Sequence, residues 1–93
     1  TFGFYDDAQK LLAMGFAKGA SLDNTVVIQD GYTIMNPEGL RSADELIRHK
    51  ILDAVGDLAL AGVRIEGHFR GFNSGHTLNN QLLRALFNTF AVF

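Results

Sequence analysis

At 93 residues the chain is long enough for at most one small domain, and 47% hydrophobic residues with a single proline fit a folded chain rather than a disordered one. A formal net charge of −2 leaves no basic surface to neutralise nucleic-acid phosphates, and the absence of cysteine excludes a disulfide framework or a thiolate metal site. No apolar run approaches the roughly 18 residues of a transmembrane helix, and no signal peptide opens the chain.

Thr1–Tyr5 is short, aromatic and β-prone, and reads as a strand end. Asp6-Asp7 then opens a helix running to about Met14, because carboxylates are favoured at the positive end of the helix dipole. Ala8, Leu11 and Leu12 supply its apolar face and Gly15 its stop. Phe16–Leu22 is a loop of small residues. Thr25–Ile28 and Tyr32–Met35 are β-branched and aromatic, and Asp30-Gly31 between them is a strong hairpin signal. Asn36–Gly39 is turn chemistry. A long helix follows over Ser42–Gly62, then a strand over Val63–Phe72, where Val63, Ile65, Gly67, Phe69 and Gly71 alternate onto one face. The loop Asn73–His76 leads into a closing helix from about Thr77 to Phe90. The expected fold class is α+β, a small two-layer domain with helices packed on a mixed sheet. The chain starts at Thr1 without an initiator methionine and closes on Phe87, Phe90, Val92 and Phe93, an apolar cluster expected to pack against something.

The long helix carries the chemistry. Ser42 and Glu45 have the spacing of a capping box, and Gly62 suits the left-handed position after the last turn. Ile47, Ile51, Ala54 and Leu58 share one face, expected to be the core face. Residues four apart lie one above another on a helix, so Glu45, His49, Asp53 and Asp57 form a single stripe. A neutral imidazole and a carboxylate at i and i+4 can converge on one cation, and both are ordinary zinc ligands. The plain alternative is a solvated polar face. Gly56 in mid-helix, which costs about 1 kcal/mol relative to alanine, and the flanking Leu46 and Leu60 suggest instead a stripe under partial cover, as in the wall of a site.

These residues resemble a known family. Leu40-Arg41, the run Arg48-His49-Lys50-Ile51-Leu52-Asp53-Ala54-Val55-Gly56-Asp57-Leu58 and the later Ser74-Gly75-His76-Thr77-Leu78-Asn79-Asn80 are similar to the zinc-dependent UDP-3-O-acyl-N-acetylglucosamine deacetylases of lipid A biosynthesis. Thr1-Phe2-Gly3-Phe4 and Asn36-Pro37-Glu38-Gly39-Leu40-Arg41 match in the same order. The likeness runs almost end to end and covers the second half of such an enzyme. It implies that residues 1–93 are the second, C-terminal domain, with an inserted β-α-β subdomain over 5–40, most like the family between Tyr5 and Ile28.

The resemblance implies Zn²⁺ as cofactor, with His49 and Asp53 as two metal ligands. A third histidine ligand and a glutamate general base would come from a missing N-terminal domain, so the chain alone is expected to be inactive. It implies His76 as the cationic residue that stabilises the oxyanion and protonates the leaving amine, Asp57 as its supporting carboxylate, and Thr1 as a hydroxyl contacting the reacting carbonyl. Without the resemblance, His76 reads as a helix cap. Lys50 would approach the nucleotide phosphates, and Phe2 and Phe4 the sugar and acyl group. Tyr5, Ala8, Ala17, Ala20, Leu22 and Val27 would line a hydrophobic passage for the acyl chain, each buried CH₂ of which gains about 0.8 kcal/mol. The partners implied are a UDP-sugar bearing a 3-O-acyl chain and the missing domain; no nucleic acid and no membrane span are expected, and the location implied is the cytoplasm. Two positions depart from the family: Asn73 stands where a basic residue is usual, so that Arg70 would have to take over a phosphate contact, and Ala20 replaces a glycine at the passage mouth. His68 lies outside any family metal motif. From other classes, a non-catalytic half-domain binding an acyl chain or a partner protein, and a piece that folds without activity, remain as alternatives.

Overall fold

The hairpin signal at Asp30-Gly31 is met in the computed structural model, which describes residues 1–90. Both residues take positive φ, at 53° and 78°, and the Tyr32 N–H closes the turn onto the Gln29 carbonyl at 3.2 Å. Such a turn has the twist that antiparallel strands require. It joins β2 (Val26–Gln29) to β3 (Thr33–Ile34), with Ile28 opposite Ile34 and Gln29 opposite Thr33. On the other edge of β2 lies β1 (Phe2–Phe4), parallel to it, with Phe2, Gly3 and Phe4 opposite Val26, Val27 and Ile28. Parallel neighbours need a crossover connection, supplied here by α1 (Tyr5–Ala13), which packs on β1 and β2. The sheet is three-stranded and mixed, in the order β1-β2-β3. With the three helices of the described residues it makes the fold α+β, as expected.

Asp6 and Asp7 occupy the first turn of α1. The helix ends where Gly15 takes a φ of 84°, with the Gly15 N–H bonded to the Leu12 carbonyl and the Phe16 N–H to the Leu11 carbonyl. This pair of bonds satisfies carbonyls that the last helical turn leaves over. Ile28 is the buried apolar residue of this part of the chain, and the buried polar one is Asn36, 5% exposed. The Asn36 side chain accepts the Val27 N–H at 2.9 Å and donates to the Leu22 and Thr25 carbonyls at 3.0 and 2.8 Å. One amide thus ties the connection after α1 to β2.

The chain divides into two compact units, Thr1–Leu46 and Ile47–Phe93. The first holds the sheet and α1. Helix α2 (Glu45–Ala59) begins at the end of the first unit and runs through the second, which also contains α3 (His76–Thr89). Ala54, Leu83 and Asn79 are the buried residues among those described in the second unit.

Several expectations are corrected. Helix α2 starts at Glu45, three residues after Ser42, and the capping box does not form. The Ser42 hydroxyl instead donates to Asp44 at 2.9 Å, and the Glu45 carboxylate reaches past Ser42 to accept the Arg41 N–H at 2.7 Å and its guanidinium at 2.8 Å. These bonds, the backbone one foremost, hold the Glu45 carboxyl below its ordinary pKa. At the other end α2 tightens after Ala59 into turns that finish at Gly62, φ 70°, as expected of that glycine. Of the expected core face only Ala54 is buried; Ile47 and Ile51 are 64% and 58% exposed. Val63–Phe72 is irregular rather than a strand. An alternating segment becomes a strand only against a hydrogen-bonding neighbour, and among the described residues the second unit contains no strand to pair with it. Of the closing apolar cluster, Phe87 and Phe90 are exposed, while Val92 and Phe93 lie outside the described residues.

Candidate active site

His49, Asp53 and Asp57 follow one another at four-residue intervals along α2, and all three are half-buried. His49 Nε2 stands 3.5 Å from Asp53 Oδ1. Two ligand atoms on a tetrahedral zinc, each at about 2.0–2.1 Å, are separated by roughly 3.3–3.4 Å. The pair is therefore already spaced as two neighbouring ligands of one ion. Among the described residues no group of three or more acidic or histidine side chains is gathered to hold a metal. A zinc ion here would need a further ligand from outside that set. The donor types and their spacing fit the metal; the set is partial.

The second half of the site comes from the start of α3. Gly75 precedes the helix in extended backbone and accepts the Asn79 N–H at 2.9 Å, which leaves His76 in the first helical position. From there its ring meets α2. His76 Nδ1 lies 2.7 Å from Asp57 Oδ2. An ionised carboxylate has no proton to give, so Nδ1–H is the donor and Nε2 is the free ring nitrogen. Nε2 faces Asp53, 3.9 Å from Oδ2. Asp53 thus presents one oxygen to each histidine.

The electrostatics follow from these distances. The Asp57 hydrogen bond, then its charge and that of Asp53, raise the His76 pKa above its ordinary value of 6.5. The Asp57 carboxyl is lowered from its ordinary 3.8, first by a hydrogen bond from Asn79 and then by the one from His76. A histidine whose charged form is favoured by a neighbouring carboxylate has the character of a general acid.

Lys50 is half-buried on α2, and its ammonium donates to the Ser74 carbonyl in the loop that precedes α3. Asn73 beside it has a φ of 48°. Asparagine tolerates this left-handed conformation better than lysine or arginine does, which gives its presence there a backbone reason. A groove of about 590 Å³, lined by Ile47, Lys50, Ile51, Phe69 and Asn73 among others, runs along this side of the second unit. Gly56 faces open space and Leu60 is exposed, so the cover inferred over that part of the stripe is not seen.

The other predicted positions belong to the first unit. Thr1 is exposed just before β1, and its carbonyl accepts the Val26 N–H at 2.9 Å. Phe2 is half-buried and Phe4 more exposed on β1; Tyr5 and Ala8 are half-buried on α1. Val27, also half-buried, lies opposite Gly3 in the middle of the sheet. Ala17, Ala20 and Leu22 are exposed in the connection between α1 and β2, Ala17 with a φ of 57°. A β-α-β order is present as β1-α1-β2, but its first strand, Phe2–Phe4, lies before the expected start at Tyr5; the order brings Phe2, Phe4, Tyr5, Ala8 and Val27 into neighbouring elements. His68 is exposed in the irregular segment after α2. Asn79 was not singled out from the sequence; its place three residues after His76, on the same helical face, was the available signal.

Comparison with known proteins gives one answer. The model of the LpxC family, UDP-3-O-acyl N-acetylglycosamine deacetylase, matches residues 1–88. Over 86 residues, 92% of the chain, it is 59% identical to the UDP-3-O-acyl-N-acetylglucosamine deacetylase of Blochmanniella floridana. The deacetylases of the same name from Haemophilus influenzae (strain 86-028NP) and Pasteurella multocida (strain Pm70) are each 56% identical over the same length. The chain spans 28% of the length of each of these relatives, a smaller share than the half read from the sequence.

Proposed function

For this chain, which belongs to the UDP-3-O-acyl N-acetylglycosamine deacetylase family, we propose that it supplies part of the active site of an enzyme that deacetylates UDP-3-O-acyl-N-acetylglucosamine in lipid A biosynthesis, in the cytoplasm. The observation that carries the reading is the His76 ring, anchored through Nδ1 on Asp57 with Nε2 turned to Asp53, whose other oxygen meets His49. Acid and candidate metal ligands then share one carboxylate.

His49 and Asp53 would hold Zn²⁺, with a third ligand and a glutamate base supplied from outside this chain. When bound, the ion polarises the acetamide carbonyl and activates a water molecule. Charged His76 stands beside the developing oxyanion and donates its Nε2 proton to the amine as the amide C–N bond breaks, so that acetate and a neutral amine leave. Asp57 keeps Nδ1 protonated throughout, so the ring gives and regains its proton at one nitrogen. Thr1 contacts the reacting carbonyl through its hydroxyl, and Lys50 approaches the phosphates with the ammonium hydrogens that Ser74 does not take. Phe2 and Phe4 flank the sugar and acyl group. Tyr5, Ala8, Ala17, Ala20, Leu22 and Val27 line the passage for the acyl chain.

The test is a chimaera in which this chain replaces the matching 86 residues of the Haemophilus influenzae relative. Deacetylase activity is expected to persist, and His76→Ala is expected to lower kcat by about 10²–10⁴-fold, the usual contribution of a general acid. The 93-residue chain alone with added zinc is expected to show no turnover. A folded chimaera without activity would overturn the reading and leave a binding half-domain as the better description.

A further inference from the structure

Asp57 is held from two sides. His76 Nδ1 and Asn79 Nδ2 both point at Oδ2, at 2.7 and 3.0 Å, from positions three apart on α3. The two donors differ in every other respect. The His76 side chain is 71% exposed, whereas Asn79 is the most buried polar residue described, 3% exposed. An exposed ring at a helix start can rotate. A buried amide among packed neighbours cannot, and it gives Asp57 a fixed partner whether or not the ring is in place. An uncharged amide meeting a carboxylate can only donate through its NH₂, so Asn79 also designates which carboxylate oxygen faces α3.

We propose that Asn79 is a positioning residue for the deacetylation. It fixes the Asp57 carboxylate so that Oδ2 captures His76 Nδ1–H and leaves Nε2 as the nitrogen that exchanges protons. This rests on the function proposed above, but its central statement concerns which nitrogen of His76 carries hydrogen. That can be read without activity. The lowered pKa of Asp57, to which the Asn79 bond is the largest contributor, agrees with a carboxylate kept ionised for the purpose.

A structural amide would show itself differently. If Asn79 only filled space, a leucine of the same branched shape would preserve both the tautomer and the rate. If it acts through Asp57, its loss matters only while Asp57 is present. The experiment uses the chimaera with ¹⁵N-labelled histidine, the His76 signal being assigned by its loss in His76→Gln. Asn79→Leu is expected to reduce the Nδ1–H form of neutral His76. It should lower kcat by about 10–100-fold, the usual loss when a supporting partner of an active-site group is removed, with KM within about twofold. In an Asp57→Ala background, Asn79→Leu should have no further effect on kcat, since coupled residues are not additive. Asn79→Ala removes the donor without adding bulk, so it decides the matter if the leucine variant does not fold; the same loss of the Nδ1–H form is expected. An unchanged tautomer and kcat in a folded variant would overturn the proposal while leaving the deacetylase reading in place. Full additivity with Asp57→Ala would overturn it as well. An inactive parent chimaera whose His76 tautomer still responds to Asn79→Leu would overturn the deacetylase reading and uphold the clamp.

Discussion

Asn36→Ala should destabilise the first unit by about 2–4 kcal/mol. Its side chain makes three hydrogen bonds, one accepted from Val27 and two donated to Leu22 and Thr25, all 2.8–3.0 Å long. At about 1 kcal/mol net for each intramolecular bond the loss is about 3 kcal/mol. The upper end applies if the Val27 N–H and the two carbonyls stay dry, because an unsatisfied buried group costs about 1–3 kcal/mol by itself. The lower end applies where water enters the space left by the amide. Asn36→Asp should be at least as destabilising as alanine: the acceptor for Val27 survives, but both donors are lost and a buried charge faces two carbonyls. Urea unfolding gives the free energies, and hydrogen exchange at the Val27 amide reports the local bond. A variant within about 0.5 kcal/mol of the parent with Val27 exchange unchanged would refute the reasoning, since surface substitutions commonly fall in that range.

Asp57→Asn should bring the His76 pKa down toward 6.5, read by proton NMR, because the hydrogen bond to the carboxylate and then its charge, the two largest causes of the rise, are gone. The sign for stability follows from both partners: the Asp57 contribution is present above about pH 3.8 and lost as pH falls through its lowered folded pKa, while that of His76 is full below 6.5 and lost as pH rises through its raised folded pKa. The pair therefore stabilises most between those values, and a flat pH–stability profile over 2–8 in the parent would exclude it. The chain alone should bind zinc more weakly than the complete enzyme, and His49→Ala should abolish the heat seen in titration calorimetry; tight binding that survives the substitution would place the metal elsewhere. Gly62→Ala should cost about 1 kcal/mol in urea unfolding, since a Cβ there meets no neighbour and only the φ of 70° opposes it; an unchanged midpoint would show that the turn after α2 relaxes freely.

What could be read from the sequence was local. The Asp30-Gly31 turn, the acidic start of α1 and the four-residue spacing of His49, Asp53 and Asp57 depend on neighbours in the chain, and each is found. The contact between Asp57 and His76 came from a resemblance, because nothing in composition brings two residues 19 apart together. Asn36 and Asn79 were harder. Asparagine is ordinary turn and surface chemistry, and only burial distinguishes an amide that binds three backbone groups or clamps a carboxylate. The failures have one cause. Val63–Phe72 alternates like a strand, and Ile47 and Ile51 fall on an apolar stripe, but periodicity states what a segment is able to bury, not what it meets. Glu45 shows the converse: its carboxylate does reach back across the helix start, and Arg41, with both a backbone and a side-chain donor to offer, outcompetes Ser42 for it.

The unpaired alternating segment after α2 has a practical consequence for handling the chain. Val63, Ile65, Phe69 and Phe72 are all exposed, and their backbone belongs to no ladder. A β-prone stretch in that condition is a template for the same stretch of another molecule, which is how edge-to-edge aggregation begins. Arg64, Glu66, His68 and Arg70 alternate with the apolar side chains and are exposed too. Charges in such positions act as gatekeepers, since stacking in register would bring like charges into contact. Arg64 and Glu66, 3.4 Å apart, already partly neutralise each other within one molecule. The isolated chain should therefore stay dispersed best in low salt, where this repulsion is least screened.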